Sequence, residues 1–304
     1  NTTERIKRPE ERARVLAEVA GALARAGRID DVLAAAERIN WPEERARVLV
    51  EAVGALARAG DAEGARRVAE EAANTAKRIR RPEVHARVLA EVAGALARAG
   101  DAEGARRVAE EAANTTERIK RPDEHARVLT DVADALARAG AIDEAREIVT
   151  MIDEPSSRSR AQSAIIKALV GKGSSDEAVN MLRVALAEVE GLVRRQDAAD
   201  YCATLAAACL DAADLVDAES TTHEQWLGLA RSALARSWLY GASVWDRFDV
   251  LLRVAPDLAT RLVEERLLAK PESAGPASSV DPTDPADPAD PDPEGPGGGA
   301  PSSR

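Results

Sequence analysis

Apolar residues recur along this chain at i, i+3, i+4 and i+7. Leu49, Ala52, Val53 and Leu56 form one such stripe; Leu89, Val92, Ala93, Leu96 and Leu129, Val132, Ala133, Leu136 repeat it. This spacing puts one apolar face on an α-helix. No stretch alternates with a period of two, so strands are not expected. Proline precedes each stripe and glycine follows it: Pro9/Gly27, Pro42/Gly60, Pro82/Gly100, Pro122/Gly140 and Pro155/Gly173. Proline suits the first helical turn, where its missing N–H costs nothing. Glycine just past a helix takes the left-handed conformation that closes it. Each pair therefore bounds one helix, here termed helix A.

A second helix follows. After Gly60 and Gly100, Asp61 and Asp101 are good N-caps, and Glu63 and Glu103 occupy a first turn, where anions are favoured. Helix B then carries its own stripe of Ala65, Val68, Ala69, Ala72, Ala76 and Ile79. Successive prolines lie 33, 40, 40 and 33 residues apart. The seven additional residues rotate the stripe by only about 20°, so they should lengthen helix B without taking its apolar face out of the core. A period in this range means stacked helix pairs, each too small to be stable alone.

Composition then sets limits. Of 304 residues only 2% are aromatic, and six of the seven aromatic residues lie between Tyr201 and Phe248. The repeats are expected over 1–196, built on Ala, Leu and Val. A degenerate helical cap is expected over 197–270, with helices near 197–215, 222–238, 242–254 and 256–269. Residues 271–304 carry seven acids and one base among Pro, Gly and Ser; such a segment buries nothing and is expected to be disordered and polyproline-II-like. Residues 1–9 repeat residues 114–122 letter for letter, so the chain is expected to begin inside a helix B of a longer array.

The formal net charge of −11 argues against a nucleic-acid partner, which needs a basic footprint. No apolar run reaches membrane-spanning length and no signal-peptide pattern is present, so a cytoplasmic protein without a membrane partner is expected. Cys202 and Cys209, seven apart, fit neither a CxxC motif nor a disulfide within one helix and read as buried small residues.

No catalytic constellation emerges. The His223-Glu224 pair lacks the second histidine of a zincin motif. Gly171-Lys172-Gly173-Ser174 has Ile166 where a P-loop needs glycine. No enzyme activity, metal or cofactor is expected. The candidate functional surface is instead the face of helix A opposite the stripe. Five residues past each proline stand Arg14, Arg47, Arg87, Arg127 and Arg160; nine past, Glu18, Glu51, Glu91 and Asp131; twelve past, Gly21, Gly54, Gly94 and Asp134; sixteen past, Arg25, Arg58, Arg98 and Arg138. At 3.6 residues per turn these offsets share one face, and stacking turns each into a ladder. His85 and His125 occupy the third position past proline, where other units have Arg45 and Arg158, so a basic surface position is expected rather than a metal site. The face is either a solvated row of Arg/Glu pairs, each worth a few tenths of a kcal/mol, or a groove for an acidic or C-terminal peptide. The mid-helix glycines cost about 1 kcal/mol each against alanine; close approach of a ligand or tight helix packing would explain them.

The A/B unit resembles a tetratricopeptide repeat. With Gly100 on the family's inter-helix glycine, Leu89, Val92, Ala93 and Leu96 fall on the helix-A signature positions and Ala105 and Ala112 on the small positions of helix B. Leu and Ala replace the usual large aromatics. The resemblance implies an all-α fold, a right-handed α-solenoid of stacked antiparallel helix pairs, with helix A lining a concave groove and Arg87, Gly94 and Arg98 facing it. It further implies a non-catalytic protein- or peptide-binding scaffold; a structural or oligomerising spacer is the alternative. The Ala/Arg-rich composition also resembles repeats of actinobacterial multidomain signalling proteins, in which such an array is the sensor or scaffold part.

Overall fold

A computed structural model describes residues 9–268, and the side chains of residues 15–266. The expected start within a helix B and the acidic tail both fall outside the described residues. Helix A appears five times, as α1 (Pro9–Arg25), α3 (Pro42–Ala59), α5 (Pro82–Arg98), α7 (Pro122–Ala139) and α9 (Pro155–Gly171). Helix B appears as α2 (Ile29–Glu37), α4 (Ala62–Ala76), α6 (Ala102–Thr116), α8 (Ile142–Thr150) and α10 (Ser175–Glu188). The described residues contain no strand.

The punctuation works as the local chemistry requires. Gly27, Gly60, Gly100, Gly140 and Gly173 all have positive φ, between 68° and 83°. At each, the next residue's N–H reaches back over the turn, as Asp61 N does to Leu56 O at 3.0 Å and Ala141 N to Leu136 O at 3.0 Å. This pairs carbonyls the helix end would otherwise leave open. Asp61 and Asp101 accept hydrogen bonds from the backbone N–H of Gly64 (2.8 Å) and Gly104 (2.9 Å). The longer spacing does lengthen helix B: α4 and α6 have 15 residues each, α2 and α8 have 9. The whole predicted stripe of α4, from Ala65 to Ala76, stays buried together with Ile79 beyond its end.

Each helix A packs on its own helix B and on the helices A before and after it: α1 on α3, α3 on α5, α5 on α7, α7 on α9. Burial therefore extends beyond the expected single stripe. In α5 it includes Ala86, Val88, Ala90 and Ala95 as well as Leu89, Val92, Ala93 and Leu96. A helix with neighbours on three sides leaves only a narrow strip to water, and alanine on its flanks lets the backbones approach.

Beyond α10 the helices are α11 (Arg195–Asp214), α12 (Thr221–Leu239), α13 (Phe248–Val254) and α14 (Pro256–Leu268). The helix expected near 242–254 begins instead as a 3-10 turn, Val244–Arg247, capped by Ser243 and Asp246 in a reciprocal box. Large residues enter here: Tyr201 and Trp226 are fully buried. The Tyr201 hydroxyl lies against Gln162 of α9 and 2.9 Å from a Glu188 carboxylate oxygen of α10, tying α11 to the array. Burial and the Glu188 charge hold its ionisation above the usual range. Cys202 and Cys209 are free and buried, and burial pushes their thiols up to about 11 and about 12. No described helix is long and apolar enough to cross a membrane.

Candidate functional site

Stacking brings the helix-A offsets together across α3, α5, α7 and α9. Glu91 of α5 lies in the field of Arg87 on its own helix, Arg47 and Glu51 on α3, and Asp131 on α7. Asp131 in turn lies among Arg87, Arg127 and Arg160, from three successive helices A. The carboxylates at offset nine thus sit between the guanidinium groups at offset five. Burial, then the like charge of Asp131, raises the pKa of Glu91; burial, then Asp134, raises that of Asp131. Both side chains remain accessible to water. Protein on both sides with an opening above produces that combination, since neighbouring helices displace solvent without covering the carboxylate.

Arg87 is less free than its offset implies. It crosses to Glu124 in the first turn of α7 at 3.1 Å, joining two units, and its Nε is buried without a partner. Arg47 pairs locally with Glu44 at 3.3 Å. Arg138 is held by Asp134, one turn earlier, at 2.5 Å. Arg58, Arg98 and Arg127 are exposed and make no ion pair among the described residues.

The glycines have a specific role in this arrangement. A Cβ on Gly54 would lie 3.6 Å from the Arg58 guanidinium. On Gly94 it would lie 3.7 Å from Nη1 of Arg98 and 3.8 Å from Nη1 of Arg138, with no other side chain or neighbouring backbone within 4 Å. No adjacent helix presses on these glycines, so tight helix packing does not account for them. Instead, arginines from two helices lie over the bare backbone of α5. Burial first, and the Arg138 charge second, lowers the pKa of Arg98.

Next to this pair is a cleft of about 460 Å3 between α5, α7 and α9. Its floor is Ala97, Ala137, Ala164 and Ala168, and its charged rim is Arg98, Arg138, Lys167, Lys172 and Asp134. Lys167 bonds Asp211 at 3.3 Å and Lys172 donates to the Gly140 carbonyl at 3.1 Å. Burial raises the pKa of Asp134, opposed by Arg138 and Lys167. Lys167 was legible in the register, being twelve past Pro155, where other units have glycine or Asp134. Lys172 was not, because it lies in the inter-helix turn.

His85 and His125 stand apart from this surface. Offset three is about 200° around the helix from offset five and points toward helix B. There Arg45 bonds Glu71 of α4 at 2.6 Å, and Arg158 lies 4.0 Å from Glu188 of α10. His85 is half-buried, its Nε2 unpartnered, and its pKa is lowered by burial despite the nearby Glu111. His125 is half-buried one unit on. No group of three or more His, Cys, Asp or Glu side chains among the described residues could hold a metal ion.

No family model and no curated protein matches the chain. Among solved structures it is similar to Ton1535 from Thermococcus onnurineus NA1, at 17% identity over 86% of this chain and 80% of that one, with a TM-score of 0.42.

Proposed function

We propose that this chain is a non-catalytic, tetratricopeptide-like scaffold that binds an acidic peptide or protein segment along the helix-A face. The observation that carries the reading is the Arg98–Arg138 pair over Gly94, beside an alanine-floored cleft with a largely cationic rim. Two like charges brought together, one of them without a carboxylate partner, cost electrostatic free energy that an anionic ligand would return. The omitted side chain at the same place lets both guanidinium groups rest directly on α5. Buried residues at the signature positions, Leu89, Val92, Ala93, Leu96, Ala105 and Ala112, support the tetratricopeptide-like reading. In this reading the array winds right-handed and works in the cytoplasm as the interaction part of a larger protein.

A structural spacer is the alternative, and the ion pairs between successive units favour it. Arg67 to Asp30 (2.9 Å), Arg106 to Glu144 (3.5 Å) and Arg146 to Glu177 (2.7 Å) stitch successive helices B together. The test is fluorescence anisotropy with a labelled hexaglutamate peptide at low salt. The combined Arg98→Ala, Arg138→Ala protein should bind at least about tenfold more weakly, with its helical circular dichroism retained. Equal binding by both proteins sinks the groove.

A further inference from the structure

The repeats contain one aromatic residue, Trp41, and it is not in the core. Trp41 immediately precedes Pro42, where the next two units have Arg81 and Arg121. Its side chain is 62% exposed. It stands over a notch of about 620 Å3 between the starts of α3 and α5, with Pro42, Ile79, Arg78, Arg80 and Arg81 around it. One unit on, the same register produces a smaller notch of about 260 Å3, without an aromatic residue.

The charge of the notch is one-sided. Its acids are already engaged: Glu43 accepts two hydrogen bonds from Arg81, at 3.2 and 2.5 Å, and Glu44 pairs with Arg47. Arg78 and Arg80 are exposed and make no ion pair among the described residues. An open indole, a proline ring and two uncommitted guanidinium groups suit a ligand that alternates proline with carboxylate. Polyproline-II segments dock on exposed aromatic rings because proline has already lost its φ freedom, so little entropy remains to be lost on binding.

The chain contains such a sequence, in the residues beyond those described. Asp281, Asp284, Asp287 and Asp290 recur every third residue, each followed by proline. A polyproline-II helix has three residues per turn, so in that conformation one edge carries the carboxylates and the next the prolines. We propose that the Trp41 notch binds the 281–294 segment of a second copy of this chain. Prolines lie on the Trp41 indole, and aspartates meet Arg78 and Arg80. Each copy then offers both a ligand and a notch, a heterologous contact whose population grows with concentration.

Sedimentation velocity of the full chain at low salt, over a wide concentration range, tests this. The average mass should rise with concentration and fall again when free 281–294 peptide is added. Trp41→Ala and the double variant Arg78→Glu, Arg80→Glu should each weaken association at least about tenfold. The double variant Arg118→Glu, Lys120→Glu, in the neighbouring notch, should associate like the parent. Trp41, Arg78 and Arg80 are exposed, so their variants should retain the parent circular dichroism. A monomer at every concentration overturns the proposal, as does an assembly unchanged by both notch variants.

Discussion

The guanidinium groups of Arg98 on α5 and Arg138 on α7 lie over the same residue, Gly94, each within 4 Å of where its Cβ would be. Two helices thereby place like charges together on a surface that the fold leaves open.

Replacing Gly94 with Ala tests what that glycine does. The added methyl meets only guanidinium nitrogens, at 3.7 and 3.8 Å, which is ordinary contact. Alanine favours the helix by about 1 kcal/mol, so Gly94→Ala should raise the thermal midpoint by roughly 2–4 °C. Gly64→Ala should do the opposite. There the Cβ would fall on the Asp61 carboxylate that caps α4 and 2.6 Å from Ile29 Cδ1. Loss of the cap costs about 1 kcal/mol, which offsets the helix-propensity gain of alanine, and the contact with Ile29 of α2 leaves the change destabilising. Two Gly→Ala changes of the same sign in thermal melts would contradict this assignment.

Arg45 and Arg47, two residues apart, should differ in consequence. Arg45 faces helix B, and its bond to Glu71 is partly shielded, with side-chain exposures of 15% and 35%. Arg45→Ala should destabilise the chain by about 1 kcal/mol, below the roughly 1.5–3 kcal/mol of hydrogen bonds to charged groups, because its buried, unpartnered Nε is removed at the same time. Arg47 pairs with Glu44 in the open, and Arg47→Ala should change stability by less than about 0.5 kcal/mol. Urea unfolding would read both; equal effects would remove the distinction between the two faces.

His85 should make stability depend on pH. Burial lowers its pKa, with help from Lys77 and Arg118 and against Glu111. The unfolded chain therefore takes up this proton more readily than the folded one. The contribution is complete above the unfolded value of about 6.5 and is lost as pH falls through the lower folded value. Melting the parent and His85→Gln proteins at about pH 8 and about pH 5.5 isolates it. The parent should lose more stability between the two, and parallel losses would show that His85 does not matter. Glu91 and Asp131 act with the opposite sign, their raised pKa values favouring the folded state as pH falls.

Much of the architecture was legible in the sequence because its causes are local. Pro82 and Gly100 bound a helix by their own backbone chemistry, and Asp101 caps the next helix three residues from the N–H that it accepts. The i, i+3, i+4, i+7 stripe survived the seven-residue insertion because two turns restore the helical phase. The 3-10 start at Val244 was not legible, because four residues are too few for apolar periodicity to separate a 3-10 turn from the first turn of an α-helix.

The sequence alone determined the units, their lengths and the side of each helix that meets the core. Only the tertiary structure decided the status of each surface charge. Arg87 and Arg98 look alike in the register, yet Arg87 reaches Glu124 on the next unit while Arg98 has no ion-pair partner. Trp41 is the largest side chain of the repeats, yet it stands open at a notch. The reason is that a helix end is built from residues a few positions apart, whereas the partners of a side chain come from units roughly forty residues away, brought alongside only by stacking.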